Sequence, residues 1–180
     1  MSALARLAGT SASMQKLRRT LSILAPKPSW LWIIGETGTG KGLVARIIHE
    51  LSRRPGRFVE LNSERLKSGI VESVLFGHAR GSFTGADRDW KGRYEQADRG
   101  TLFFSEGGRT RRRAQGLLLE LLDRRGFSPA GDERVIRPDV RVLFASSVTP
   151  LQLLQSGKLE EHFFYRLGAV EVVSSLKFAP

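Results

Sequence analysis

Cysteine is absent from the sequence, and its absence removes several classes of protein. A chain without thiols contains no disulfide framework, zinc–thiolate site or cysteine nucleophile. Histidine is scarce, and His49, His78 and His162 are far apart in the chain, which argues against a histidine-based metal centre. Long apolar runs are also missing. The longest, at residues 30–34, falls well short of the ~18 residues that a membrane-spanning helix requires, so we expect no membrane span.

Acidic residues are the minority charge. The 180 residues include 29 Lys and Arg against 18 Asp and Glu, which gives a formal charge of +11. This excess predicts an anionic partner: a nucleotide, a nucleic acid or an acidic protein surface. No acidic residue precedes Glu36, a feature shared with organelle transit peptides. However, Met14, Leu17 and Leu21 keep helical spacing, which favours a helix docked on the domain.

Short apolar segments alternate with amphipathic segments along the chain. Five of them have the length and composition of buried strands, at residues 30–34, 58–61, 101–104, 140–145 and 170–173. The segments between them predict helices, including one over residues 62–76. This alternation predicts an α/β fold with a parallel sheet. Residues 77–92 are rich in glycine and polar residues and are too many for a plain turn, so we expect a functional loop there.

A glycine-rich loop joins the first strand to the helix that follows it. Its spacing, Gly35-x4-Gly40-Lys41, is that of a phosphate-binding P-loop. Backbone N–H groups and the helix N-terminus would cradle phosphates, and Lys41 would add a point charge. The motif continues with Ser or Thr as a magnesium ligand, but here the residue is Gly42, which weakens the expected hold on Mg²⁺. The candidate phosphate-binding residues are Gly35, Glu36, Thr37, Gly38, Thr39, Gly40, Lys41 and Gly42.

Further motifs follow the P-loop in order. They lie at residues 72–86, 100–106, 139–141 and 164–167. Together with the P-loop, they resemble the central AAA+ domain of bacterial sigma-54-dependent transcriptional activators, also called enhancer-binding proteins. The resemblance covers residues 9–176, with 1–8 as an N-terminal extension and 177–180 as a C-terminal tail. We expect the family's helical lid and helix-turn-helix to be absent from this chain.

The resemblance implies a fold, a cofactor and partners. The fold would be a P-loop NTPase of AAA+ type: a three-layer αβα sandwich with a mostly parallel five-stranded sheet. The cofactor would be ATP, with Mg²⁺ less securely held. The partners would be sigma-54 and RNA polymerase in the cytoplasm, and other AAA+ subunits in a homo- or hetero-oligomeric ring. DNA would be contacted only indirectly or through a basic surface, and no membrane would be involved.

The family's GAFTGA loop, which touches the sigma factor, corresponds to six residues with serine in the second position. They are Gly81, Ser82, Phe83, Thr84, Gly85 and Ala86. By resemblance, Phe83 and Thr84 would make the central contacts. An exposed phenylalanine beside glycines is unfavourable in water unless it docks on a partner. The alternative is that Phe83 folds back into the core beneath its own loop.

The resemblance also implies catalytic residues, although this sequence departs from several of them. Glu106 would activate the attacking water, and Asn62 would pair with Glu106 as a switch. Ser105 stands where the family has the aspartate that helps to hold Mg²⁺. The family's Thr-Asn of sensor I falls on residues 146–147, which are both serine. Arg166 matches the second arginine finger, or it is an ordinary surface arginine.

The sequence also departs from the family in charge at two places. Glu160 stands where the family has its first arginine finger, and residues 109–113 contain four arginines. That run is either a patch facing nucleic acid or polymerase, or a solvated face. Three functions therefore stay open. The chain is an ATP-binding sigma-54-type domain with impaired hydrolysis, a working ring-forming ATPase, or a basic nucleic-acid-binding module with a relic P-loop.

Overall fold

Five parallel strands form one central sheet in the computed structural model, which describes residues 3–66, 69–124, 126–167 and 170–173. The strands of the chain are β1 (Leu31–Ile34), β2 (Phe58–Asn62), β3 (Gly77–His78), β4 (Trp90–Lys91), β5 (Thr101–Ser105), β6 (Arg141–Ser146) and β7 (Val170–Val173). The central sheet has the order β2-β5-β6-β1-β7, and all four of its pairings are parallel. The predicted five-stranded parallel sheet is confirmed.

Helices cover both faces of this sheet. They are α1 (Ala12–Leu24), α2 (Lys41–Leu51), α3 (Val71–Phe76), α4 (Arg93–Gln96), α5 (Arg112–Arg124), α6 (Pro150–Gln155) and α7 (Glu161–Leu167). Successive strand residues point to opposite faces, so each strand contributes to two apolar layers. In β1, Trp32 packs in the layer beneath α3 and α5, whereas Ile33 packs beneath α1 and α2. The predicted three-layer αβα sandwich is therefore confirmed.

Aromatic stacking anchors the first of these layers. The Phe144 ring stacks on Trp32 at 4.8 Å between centroids and on Phe104 at 5.0 Å. All three side chains are almost completely buried, and they come from β6, β1 and β5. At their carboxyl ends, β1 leads into the glycine-rich loop, β5 leads into Glu106, and β6 ends at Ser146. The stack therefore fixes the spacing of those segments.

The N-terminal segment is docked on the second layer. Ser11 caps α1 by accepting a hydrogen bond at Oγ from the Met14 amide. Met14, Leu17 and Leu21 are buried, as the helical spacing predicted, and Leu7 is buried with them. Among the described residues, no helix is long and apolar enough to cross a membrane.

A buried arginine ties the end of α1 to the sheet. Arg141, in β6, donates hydrogen bonds to the main-chain carbonyls of Leu24, Ala25 and Ser29. Its side chain is almost fully enclosed, and burial lowers its pKa to about 10. A guanidinium carries five donors, so one side chain can satisfy several carbonyls that a helix end leaves free. This contact fixes the connection that delivers the chain into β1.

The predicted helix over residues 62–76 is wrong. Strand β2 continues to Asn62, a 3₁₀ turn occupies Ser63–Arg65, and the α-helix begins only at Val71. The Asn62 side chain accepts a hydrogen bond from the Glu64 amide at 2.9 Å. Asparagine competes for backbone donors in this way, and it starts a short turn instead of a long helix. The apolar spacing reflected burial of both segments, not one continuous helix.

The predicted loop over residues 77–92 is closed at its base by a short antiparallel ladder of β3 and β4. The backbone segments at this base approach too closely for side chains at Gly77 and Gly92. A Cβ at Gly77, where φ is +86°, would lie 2.3 Å from the Trp90 carbonyl oxygen. A Cβ at Gly92 would lie 2.4 Å from the Leu75 carbonyl oxygen. The ladder therefore presents the intervening residues as a defined loop.

Candidate nucleotide-binding site

The glycine-rich loop follows β1 and leads into α2. Gly38 and Gly40 have φ values of +83° and +73°, in the left-handed region that glycine adopts without strain. Gly40 is the N-cap of α2, so the first amides of this 11-residue helix open onto the loop. Lys41 is buried, and its ammonium donates to the carbonyls of Gly35 and Glu36 at 2.9 Å each. The loop thus combines the amides of a helix N-terminus with one positive charge, as a phosphate site requires.

Thr39 and Gly42 differ in how strongly their surroundings restrict the residue at each position. The Thr39 hydroxyl donates to the Glu36 carbonyl at 2.7 Å, which tightens the loop. By contrast, a Cβ built at Gly42 would meet nothing within 4 Å. The fold therefore has room for a side chain at position 42, including one with a hydroxyl.

The carboxyl ends of four strands converge at one edge of the sheet. Asn62 at the end of β2 is in register with Ser105 at the end of β5, and Ile34 is in register with Ser146. The Gly35 amide donates to the Ser146 carbonyl at 3.0 Å. Strand β6 separates β1 from β5, so the P-loop and the end of β5 stand two strand spacings apart, roughly 10 Å. The end of β6 lies between them.

Glu106 occupies the turn directly after β5. It is half-buried with φ of +56°, a left-handed conformation that costs a non-glycine residue about 1–3 kcal/mol and is concentrated at functional sites. The next two residues press against β6. A Cβ at Gly107 would lie 2.9 Å from the Phe144 Cβ, and one at Gly108 would lie 2.5 Å from the Ser146 Oγ. The turn therefore fixes the backbone of Glu106 beside the end of β6, at the same edge of the sheet as the P-loop.

The structure does not join Asn62 to Glu106. Within the described residues no hydrogen bond links them, and the Asn62 Oδ1 accepts from the Glu64 amide instead. At the sensor I position, the Ser146 hydroxyl is buried and accepts from the Val148 amide at 3.0 Å, whereas Ser147 is exposed. Asn62 and Glu106 lie on the same edge, and their switch pairing stays a prediction.

Arg166 is distant in sequence from these groups and makes its own contact. Its Nε donates to Asp123 of α5 at 2.9 Å, and both side chains are about half exposed. The backbone amide of Glu160 donates to the Gln115 side chain at 2.9 Å. Arg166 is therefore held against its own chain, and its finger role stays a prediction.

The loop of residues 81–86 is exposed at its tip. Phe83 is 46% exposed, and its ring meets the His78 ring edge-on at 4.9 Å. The alternative that Phe83 folds into the core is wrong. The loop is closed by a hydrogen bond from the Gly81 amide to the Ala86 carbonyl at 2.8 Å, and Ala86 is buried. Thr84 is exposed beside Phe83, so both residues are available to a partner.

The arginine run at residues 109–113 follows Glu106 closely in the chain, and the structure shows what its side chains contact. Arg109 pairs with Glu64, and Arg113 pairs with Glu72 at 2.8 Å. Arg109 and Arg113 thus each have an acidic partner. The sequence pattern singled out the run but missed Gln115 and Lys158, which complete its surroundings. The signal that could have indicated Gln115 is its position on the buried face of α5, where an apolar residue is usual.

A parallel sheet whose first strand enters a P-loop, with β5 and β6 ending in Ser105 and Ser146 and Glu106 following β5, defines a P-loop NTPase domain. Comparison with known proteins agrees. Residues 7–173 match the family described as the Sigma-54 interaction domain, and the chain belongs to that family.

Relatives of known name share this domain. The chain is 42% identical over 165 residues to the DNA-binding transcriptional regulator NtrC of Rhizobium meliloti, covering 91% of this chain and 34% of that protein. It is 40% identical over 176 residues to the C4-dicarboxylate transport transcriptional regulatory protein DctD of Pseudomonas aeruginosa, covering 97% and 37%. The chain therefore spans about a third of the length of these relatives.

Solved structures show the same fold. NtrX from Brucella abortus in complex with ADP matches with a TM-score of 0.82 and 32% identity, over 93% of this chain and 37% of that chain. The complex of NtrX with ATP matches with a TM-score of 0.81. The P-loop NTPase domain of the sigma-54 transport activator from Escherichia coli matches with a TM-score of 0.62 at 21% identity, over 96% and 100%, which supports the fold alone.

Proposed function

We propose that this domain binds ATP in its P-loop, engages sigma-54 and RNA polymerase through the loop of residues 81–86, and hydrolyses ATP poorly. The observation that carries the proposal is the geometry around Lys41. A buried ammonium, two glycines with positive φ and the N-terminus of α2 meet at the carboxyl edge of the sheet. NtrX, a structural neighbour, has been solved with ADP and with ATP.

The residues present fit a nucleotide triphosphate. Lys41 would exchange its contacts with the Gly35 and Glu36 carbonyls for phosphate oxygens, and the amides of residues 38–42 would donate to the same groups. The fit to Mg²⁺ is poorer. Gly42 supplies no side-chain oxygen and Ser105 supplies no charge, so the two positions that would hold the metal lack their usual ligands. A bound magnesium ion would bridge and neutralise the phosphates.

Weak hydrolysis follows from the charges that the site lacks. Glu106 can polarise a water, but Ser147 cannot donate an amide hydrogen bond, and Glu160 places a carboxylate where a finger would be cationic. Arg166 is engaged with Asp123. Since an arginine finger contributes about 10³–10⁵ in rate in GTPases, its loss alone would reduce turnover severely.

The sigma-54 contact is supported by the exposed loop tip. Phe83 is almost half exposed, and the loop is braced by the ladder of β3 and β4 at its base. Such a tip presents an apolar ring on a defined backbone, which suits docking on a protein surface. Work at RNA polymerase would place the protein in the cytoplasm, in rings with copies of itself or with related subunits.

Nucleotide titration tests the proposal directly. We expect ATP and ADP to bind the wild-type chain, and we expect Lys41→Ala to weaken binding at least tenfold, because it removes a charge-assisted contact. Lys91→Ala is the matched control, since it removes the same charge from an exposed site that pairs with Glu95. Absence of binding by the folded wild-type protein, or equal binding by both variants, would refute the proposal.

A working ATPase is the second candidate, and the strained Glu106 at the same edge of the sheet as the P-loop favours it. Steady-state phosphate release separates the two. Turnover that is abolished by both Lys41→Ala and Glu106→Gln would establish the working enzyme. For the loop, capture of sigma-54 in the presence of a transition-state analogue should fall in Phe83→Ala and should be unchanged in Phe58→Leu, a substitution on the opposite layer.

A further inference from the structure

A cavity of about 620 Å³ opens beside Glu106 and does not include the P-loop. Its lining contains four cationic side chains, Arg109, Arg111, Arg112 and Lys158, and one carboxylate, Glu106. The cations come from two segments of the chain that are more than 40 residues apart. We propose that this cavity is a second anion site, which takes a small phosphate-bearing anion independently of the P-loop.

The two cationic walls are held together by a buried side chain. Gln115 is 1% exposed, and its amide group donates to the carbonyls of Thr110 and Lys158 at 2.7 and 2.8 Å. Its oxygen accepts from the Glu160 amide at 2.9 Å. A buried amide with its groups paired is a strong constraint on backbone position. Arg112 adds a further link by donating to the Gly157 carbonyl at 3.2 Å.

The positive charge of the cavity is incompletely offset. Arg109 pairs with Glu64, but within the described ranges no ion pair involves Arg112 or Lys158. The 13-residue helix α5 begins at Arg112 and carries no acidic residue in its first turn. Its N-terminus adds a partial positive charge on the same side. An anion would therefore complete a pre-arranged set of donors.

The shape of the cavity favours a small anion over a nucleic acid. Its floor includes Thr110, Ser146 and Leu153, which are at most 4% exposed, so the donors surround a recess. None of the described residues that line it is aromatic, and single-stranded nucleic acid usually stacks on aromatic rings. Guanidinium and ammonium groups around a recess match the oxygens of a phosphate group.

The experiment is a titration of inorganic phosphate followed by amide chemical-shift mapping on the wild-type chain. We expect shifts at residues 108–112 and 146–158, both in free protein and after ADP has saturated the P-loop. Persistence with ADP identifies free phosphate as the source. Loss with ADP means that the anion is part of the nucleotide, and shifts confined to residues 35–42 would equally overturn a second site.

Variants make the test quantitative. Arg112→Ala combined with Lys158→Ala should weaken phosphate binding by about tenfold or more, since each removes a charge-assisted donor. Arg113→Ala is the matched control, because it removes the same charge from the same run, pairs with Glu72 and does not line the cavity. Equal weakening by Arg113→Ala would mean that general surface charge attracts the anion, and would overturn the site.

Lys41→Ala keeps this inference separate from the proposed function. This substitution should abolish nucleotide binding but leave the phosphate shifts at residues 108–112 in place. If phosphate binding disappears with Lys41→Ala while Arg112→Ala has no effect, the only anion site is the P-loop and the inference is wrong. Duplex DNA that competes for the same residues at low salt, without phosphate shifts, would also contradict it.

Discussion

Substitution of Gly42 tests both the geometry of the loop and the missing metal ligand. Gly42 lies in the first turn of α2, and a Cβ there would meet nothing within 4 Å. Glycine in a helix costs up to about 1 kcal/mol relative to alanine. We therefore expect Gly42→Ala to stabilise the chain by up to ~1 kcal/mol and Gly42→Ser by about half as much. For a domain of this size, 1 kcal/mol corresponds to roughly 2–4 °C in melting temperature.

The two variants then separate stability from metal binding. A serine hydroxyl at Gly42 would stand where P-loops carry a magnesium ligand, so Gly42→Ser should make ATP affinity depend more steeply on Mg²⁺. Gly42→Ala supplies the side chain without the oxygen and should show no such change. Calorimetric melting and ATP titration at several Mg²⁺ concentrations provide the readouts. Destabilisation by Gly42→Ala would mean that the start of α2 has no room for a side chain, and identical Mg²⁺ dependence in both variants would mean that position 42 does not face the metal.

Three further predictions concern the frame around the site. Arg141→Met should destabilise the fold by about 3 kcal/mol in urea denaturation, because buried carbonyls that lose their donor cost about 1–3 kcal/mol each; wild-type stability would contradict it. Burial lowers the pKa of His49, so stability should fall as the pH drops from about 6.5 through the lowered folded value, and His49→Asn should remove that part of the loss. Gly77→Ala should cost more than about 1 kcal/mol, since its Cβ would meet the Trp90 carbonyl, and chemical denaturation with no change in midpoint would refute this.

The fold favours the neutral form of His49, and this preference sets the direction of the pH effect. The His49 Nδ1 lies 2.9 Å from the Thr101 hydroxyl, and burial disfavours the charged imidazolium. Between the folded pKa and the ordinary value the unfolded chain binds more protons than the folded chain. Folding is therefore weakened by acid in that window and is unaffected by this group above it.

Sequence patterns predicted the sheet well because its central strands β1, β5 and β6 are buried on both faces. The runs at residues 31–34 and 101–104 are almost wholly apolar, and such short runs in a highly charged chain indicate buried strands. The P-loop was predictable for a different reason, since its function depends on glycines at fixed spacing. The predicted helix over residues 62–76 was wrong because the Asn62 side chain accepts a hydrogen bond from the Glu64 amide and starts a short turn. Apolar spacing alone does not distinguish this turn from the start of a helix.

The sequence did not predict the polar contacts between residues that are distant along the chain. Gln115 binds the carbonyl of Lys158, 43 residues away, and Arg166 binds Asp123 at the same separation. No periodicity encodes such pairs, because they depend on how α5, α6 and α7 pack. The cavity next to Glu106 arises from these contacts. The sequence does not indicate what the arginine run at residues 109–113 faces. The fold shows that three of its arginines line the cavity together with Lys158.

In the proposed function, ATP binding and ATP turnover would rest on different parts of the site, so experiments can separate them. The P-loop acts through its backbone, which Gly38, Gly40 and the start of α2 determine, and those features are intact. By resemblance to the family, hydrolysis would depend on charged and amide side chains, and Ser105, Ser147 and Glu160 do not supply them. A subunit that holds ATP without turning it over would still complete the interfaces of a ring. Mixing this chain with an active relative and measuring turnover per active subunit would show whether it slows or supports its neighbours.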